Sequence, residues 1–316
     1  MSADRGLLTL KFSGGWSSSV RLEPECVPCI YRTRVLEIAA SRLSSDEKIA
    51  AMRLFTEFYA LLLAPGAATT VLAWRAFSKV KELLGDDDPY KAFKEESHRA
   101  ALPLVEEVRR AAERREGLDR LRFLIKASVA ANLLDPGSPM GLEPAALVNA
   151  IERVRFGRDE LDRFFLLLLQ SSKVAYVLDN CGEALFDMLV LEELRRMGLE
   201  LLVVVRGKPY QNDITFEEAL AAGFDKLGRL VSSGSDFPGV VPGFSSEEAV
   251  RAVAEADLVV SKGMANFESF LLSPPPKPTF VVLVAKCAPI ARAAGVKPGE
   301  AAAFLLRGLP SPRDLL

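Results

Sequence analysis

Asp179-Asn180-Cys181-Gly182-Glu183 gathers carboxylates and an amide in one short stretch, directly after the apolar run Lys173 to Leu178. Comparable groups follow three other apolar runs. Leu201 to Arg206 leads through Gly207-Lys208-Pro209 to Asn212-Asp213; Asp257 to Ser261 leads to Lys262-Gly263 and on to Asn266 and Glu268; Thr279 to Ala285 leads to Lys286. Oxygen donors without histidine suit a hard divalent cation such as Mg²⁺ or Mn²⁺, whose remaining positions water and substrate oxygens fill. The same set fits phosphoryl chemistry, in which a metal, ammonium groups and helix N-terminal amides neutralise the transferring group. Lys262 and Lys286 are the candidates for the phosphate, as compact point charges.

These residues need a scaffold that brings the ends of the four runs together. From Cys26 to about Gln170 apolar residues recur at helical spacing, as in CIYRTRVLEIAASRL and TVLAWRAFSKVKELL, which predicts a helical domain over 1–170. Asp88 before Pro89 reads as a helix N-cap with proline at the first helical position, and SSDEK as a second helix start. After Gln170 short β-branched runs alternate with amphipathic segments, with a weaker run near Leu227 to Val231. Continuous apolar strands separated by helices predict a mostly parallel sheet covered on both faces, a doubly wound α/β domain over 171–316. Ligands of such sheets bind beyond the carboxyl ends of the strands, at the switch in strand order. Each motif also has a plainer reading: Asp179 or Asn180 as an N-cap, Asn212-Asp213 as a second capping pattern, Lys262-Gly263 as an ordinary turn. Asp179 next to Asn180 argues for more, because a cap needs only one such side chain.

Forty basic and forty-two acidic residues leave a net charge of −2, so no global field draws the chain to nucleic acid or to an anionic membrane. The first residues, MSADRGLLTLKFSGG, lack the apolar core and cleavage site of a signal peptide, and the uncharged segment Phe58 to Trp74 is broken by Pro65-Gly66 and too short for a membrane span. That segment is expected to form two buried helices meeting at a turn. Four cysteines, Cys26, Cys29, Cys181 and Cys287, are too few for a disulfide scaffold, and a cytoplasmic location is the expectation. Cys26-Val-Pro-Cys29 offers only two local ligands where a structural zinc site needs four, and the single histidine, His98, reads as a surface residue. Packing or an accessory role is expected for the pair.

Together these motifs resemble the damage-control phosphatase family, formerly the domain of unknown function 89, in its prokaryotic-type subfamily I with an N-terminal CxxC. The resemblance rests on Cys26-Val-Pro-Cys29, Asp88-Pro89-Tyr90-Lys91, Asp179-Asn180-Cys181-Gly182-Glu183 with Asp187, Gly207-Lys208-Pro209 with Asn212-Asp213-Ile-Thr215, Lys262-Gly263-Met-Ala-Asn266-Phe-Glu268 and Ala285-Lys286-Cys287. It implies an all-helical N-terminal part before a three-layer α/β/α Rossmann-like domain, and a phosphatase using Mn²⁺, Mg²⁺, Co²⁺ or Ni²⁺ on small phosphorylated metabolites such as sugar phosphates and damaged or surplus phosphate esters, a metabolite-repair role. It also implies that Asp179, Asn180 and Asp213 are the metal ligands and the catalytic centre. Lys262, Gly263, Asn266, Lys286 and Glu183 are the expected phosphate and substrate contacts. The chain departs from the family pattern at Cys181, where a small residue is usual, at Phe267, where tyrosine is commoner, and in Ala130-Ala131-Asn132-Leu-Leu-Asp135, which usually carries glycine before the asparagine.

Two routes stay open for the reaction: attack by Asp179 on phosphorus, or attack by a metal-bound water. The rival class is a non-catalytic Rossmann-like nucleotide- or metabolite-binding protein. Against it, no G-x-G-x-x-G or G-x-x-x-x-G-K-[ST] follows a strand.

Overall fold

The computed structural model describes residues 21–133 and 144–306. Asp135 lies outside them. The chain divides into two compact units, Met1–Pro89 and Tyr90–Leu316, and the change of period at Gln170 falls inside the second.

The first unit holds α1 (Cys26–Ala40), α2 (Ser45–Leu62) and α3 (Thr69–Leu84). Helix α2 starts as the SSDEK pattern predicts: Ser44 and Glu47 form a reciprocal capping box. The segment from Phe58 to Trp74 does split into two helices around Pro65-Gly66. Ile38, Phe55, Tyr59, Leu72 and Val80 form the core between the three helices. Cys26 and Cys29 lie in the first turn of α1, one half-buried and one exposed.

The second unit begins with α4 (Lys91–Ala112), α5 (Gly117–Leu133) and α6 (Pro144–Arg153). Helix α4 starts at Lys91, with Tyr90 rather than Asp88 in the N-cap position, and Asp88 donates its backbone N–H to Asp86 Oδ1 at 2.9 Å. Then follow β1 (Phe156–Asp159), α7 (Leu161–Gln170), β2 (Lys173–Val177), α8 (Cys181–Arg196), β3 (Glu200–Val205), α9 (Phe216–Ala222), β4 (Arg229–Ser232), α10 (Glu247–Glu255), β5 (Leu258–Lys262), α11 (Gly263–Leu272), β6 (Thr279–Val284), α12 (Ala288–Ala294) and β7 (Ala301–Leu305).

The strands form a seven-stranded sheet in the order β1-β7-β6-β5-β2-β3-β4, parallel throughout except where β7 runs against β6. The three-layer α/β/α architecture is as expected. Side chains alternate between faces along each strand, so Val174 and Tyr176 of β2 join the core shared with α5 and α8, while Ala175 and Val177 join the core shared with α10. Beside the latter, Phe267 of α11 packs with β6, β7 and α12. From β2 the chain adds β3 and β4 on one side, then returns to place β5 on the other side of β2. The switch point therefore lies between β2 and β5, and the chain leaves these strands at Asp179 and Gly263.

Candidate active site

Two chain segments close over this crevice. After β2, Asn180 forms an isolated antiparallel bridge with Asp213, Ile214 N donates to Asp179 O at 2.9 Å, and Cys181 N donates to Asn212 O at 2.9 Å. The loops that follow β2 and β3 are thereby zipped together, with Asp179, Asn180 and Asp213 side by side. The second loop reaches Asp213 through Gln211, which holds a left-handed backbone at φ 47°, unusual for a residue with a side chain. Neither capping alternative holds. Asn180 occupies the N-cap position of α8 without a side-chain cap bond, and α9 is capped by Thr215 with Glu218. The polar side chains of Asp179, Asn180 and Asp213 are thus not consumed by their own helices.

Their bonds instead run to one another and to the floor of the crevice. Asn180 Nδ2 donates to Asp179 Oδ2 at 2.9 Å and to Glu183 Oε2 at 3.0 Å. Asp213 Oδ2 accepts from Arg206 Nε at 2.7 Å. Among the described residues Asp179 Oδ1, Asn180 Oδ1 and Asp213 Oδ1 accept no hydrogen bond. Each of the three side chains has one polar atom pinned and one oxygen left over.

Lys262, expected at the phosphate, turns inward. Its Nζ donates to Ser128 Oγ, to Glu183 Oε1 at 2.6 Å and to Asp187 Oδ2 at 3.0 Å. An ammonium has three donors, and all are engaged; the residue is 1% exposed. Asp187 also accepts from Tyr176 at 2.7 Å and Ser128 at 2.6 Å. Asn266 is equally saturated: its Nδ2 donates to Leu178 O at 2.9 Å and Lys262 O at 2.7 Å, and its Oδ1 accepts from Arg206 Nη2 at 2.8 Å. Both residues stand at the site as framework. Lys286 is exposed just past β6, and its backbone N–H donates to Met264 Sδ at 3.3 Å, which sets it against the first turn of α11. Gly263 has φ +72°, and a Cβ there would fall 1.9 Å from Asp179 Oδ2, so only glycine admits this approach. Glu268 is half-buried, its carboxyl pushed up to about 7 by burial, and takes no part in these bonds.

The electrostatics follow from burial. Asp179 is 6% exposed, and burial together with the charges of Asp213 and Glu183 holds its carboxyl well above the usual range, against the pull of Arg206 and Lys262. Asp213 is raised by burial against the pull of Arg206, and Asp187 by burial against Lys262. Burial works against the Lys262 ammonium, yet Asp187 and Glu183 together raise its pKa above the ordinary lysine value. Lys262 pairs with Glu183 and Asp187 and Arg206 with Asp213, while Asp179 has no ion pair among the described residues, so the crevice is rich in buried acid. Such a site suits a bound cation. Among the described residues no three His, Cys, Asp or Glu side chains form a metal-binding group by themselves. A cation here would lean on two carboxylates, the Asn180 carbonyl, water and substrate oxygens, a donor set that fits Mg²⁺ or Mn²⁺.

Sequence reasoning missed Arg206 and Lys94. Arg206 is 1% exposed and ends the apolar run of β3, where a charge after a continuous buried strand was the available signal. Lys94 lies on α4, is 2% exposed, and pairs with Glu218 Oε1 at 2.6 Å. Nothing local singled it out. Glu218 also accepts from Cys181 Sγ at 3.3 Å, so the cysteine that departs from the family pattern is a buried packing residue behind Asp213.

Comparison with known proteins bears on this geometry. The family profile described as damage-control phosphatase ARMT1-like domain matches residues 22–302. An uncharacterised protein of Methanocaldococcus jannaschii is 33% identical over 93% of this chain and 97% of its own. A damage-control phosphatase of Archaeoglobus fulgidus is 35% identical over 72% of this chain and 80% of its own. The crystal structure of a DUF89 family protein of Pyrococcus horikoshii superposes with a TM-score of 0.80 at 26% identity, covering 90% of this chain and 98% of that one. No helix among the described residues is long and apolar enough to cross a membrane.

Proposed function

Since the chain belongs to the ARMT1-like damage-control phosphatase family, we propose that it hydrolyses phosphoric monoesters of small metabolites with a divalent metal, at the crevice between β2 and β5. Membership makes it a phosphatase of phosphorylated metabolites; the metal and the ester class are inferred from the site. The observation that carries this reading is the set of three unspent oxygens, on Asp179, Asn180 and Asp213, in a crevice rich in buried acid. A divalent ion held by these residues would polarise a phosphate oxygen and screen its charge from the carboxylates.

The remaining work falls to the chain itself. Lys286, exposed at the rim, supplies the mobile ammonium for the phosphate. The backbone N–H groups opening α11 at Gly263 and Met264 point along the dipole of a ten-residue helix and suit phosphate oxygens. Gly263 lets that helix end approach Asp179 closely. Lys262 holds Glu183, which in turn holds the Asn180 amide and so aims its carbonyl. Attack on phosphorus by Asp179 would require it to give up its bond from Asn180 at Oδ2 or its place at the ion at Oδ1, whereas attack by water would not, and acid-quenched mass spectrometry separates the two by the presence or absence of a phosphorylated Asp179.

The test is phosphate release from p-nitrophenyl phosphate with Mn²⁺. Turnover is expected with the metal, absent in EDTA, and reduced by about a thousandfold or more in Asp179→Asn. Undiminished turnover in EDTA overturns the metal, and full activity of Asp179→Asn with added Mn²⁺ overturns the site. Activity across a panel of sugar phosphates then assigns the substrate.

A further inference from the structure

Arg206 spends its donors differently from Lys262. Its side-on edge, Nε and Nη2, spans Asp213 Oδ2 at 2.7 Å and Asn266 Oδ1 at 2.8 Å. Asn266 passes the constraint on, because its amide holds Leu178 O and Lys262 O, the carbonyls that end β2 and β5 on either side of the switch point. The backbone of Arg206 is fixed as well: its N–H donates to Ile214 O at 3.1 Å and its carbonyl accepts from Phe216 N at 2.9 Å, on either side of Thr215 and directly after Asp213. One buried guanidinium therefore joins the ends of three strands to one proposed ligand.

We infer that Arg206 is a positioning residue for the cation: by occupying Asp213 Oδ2 it selects Oδ1 as the ligating oxygen and fixes its direction. This rests on the reading of Asp179, Asn180 and Asp213 as ligands. A planar fork with two parallel donors can do this; the ammonium of a lysine offers point-charge contact without the fixed spacing. Charge at this position is therefore insufficient, and geometry is what the site needs. Bonds made to a ligand by its neighbours set metal affinity by about 10- to 100-fold.

The experiment is isothermal titration of Mn²⁺ alone into the purified protein, with kcat and KM measured in parallel. Arg206→Lys keeps the charge and is expected to lose about 10-fold or more in Mn²⁺ affinity, with kcat lowered at saturating metal and KM little changed. Asn266→Ser leaves the Arg206 bond to Asp213 and removes its second anchor; a smaller loss, about 3-fold, is expected, and this variant serves if the lysine variant fails to fold. In Arg206→Ala, added guanidinium ion restores part of the lost affinity, a response that a purely structural role does not produce. Wild-type affinity in the folded variants, or no rescue by guanidinium, overturns the inference and leaves the metal reading standing. A wild-type protein that binds no Mn²⁺ overturns the ligand assignment itself and the inference with it.

Discussion

Lys262 and Arg206 stand at the ends of strands two places apart in the same sheet, and their side chains serve opposite faces of it. Lys262 points to the side covered by α5 and α8, where Ser128, Glu183, Asp187 and Tyr176 complete a closed network. Arg206 points to the side of α11, where it bonds Asp213 and Asn266 and keeps Nη1 buried without a partner among the described residues. Lys262 braces acids away from the opening, whereas Arg206 holds an acid at the opening. A buried cation at a strand end is thus not by itself a substrate ligand; its role follows from where its donors are spent.

The largest expected effect breaks the closed side. Lys262→Met takes the Lys262 ammonium away from the buried carboxylates of Glu183 and Asp187, which costs about 3–5 kcal/mol by the usual size of such losses; urea unfolding measures it, and a change under about 1 kcal/mol would remove the bracing role. Next comes Gly263→Ala. The added Cβ must displace Asp179 and hold a left-handed backbone, costing about 1–3 kcal/mol and most of the turnover; phosphate release near the wild-type rate would show that Asp179 need not sit where it does. Tyr176→Phe removes one of the bonds to Asp187 and is expected to cost about 1 kcal/mol with turnover retained, since this hydroxyl lies on the braced side. A larger loss of activity than of stability would place Tyr176 with Arg206 instead.

A last effect sharpens the comparison through pH. Glu268 lies on α11 outside both networks, its carboxyl raised from 4.5 to about 7 by burial. A raised carboxyl holds its proton in the native state after the unfolded chain has lost it, so stability is full below about pH 4.5 and falls as pH rises toward 7. Glu268→Gln removes that slope, with up to about 3 kcal/mol recovered at neutral pH. An unchanged pH profile of the melting temperature would show that burial does not perturb this group.

Much of the scaffold is legible in the residues because it depends on neighbours along the chain. The apolar runs at Lys173, Leu201, Asp257 and Thr279 each became a strand, since continuous β-branched sequence buries both faces. The helix start expected at SSDEK is local too, and the exchange of bonds between Ser44 and Glu47 forms it. Strands β1 and β7 escaped notice for the same reason inverted. Phe-Gly-Arg-Asp is short and polar, and Ala-Ala-Ala-Phe-Leu has little strand preference, so both are strands only because β6 and β7 offer partners. Asp88-Pro89 carried a helix start that the chain does not use there.

The amino-acid order by itself determined that acids, amides and lysines follow successive strands, and hence that they meet at the carboxyl rim of a parallel sheet. Tertiary structure alone decided which of them face outward. Lys262 bonds a serine 134 positions away and Asn266 an arginine 60 positions away. A side chain has a fixed number of donors and acceptors, and which are left for a ligand depends on partners that only folding brings within reach.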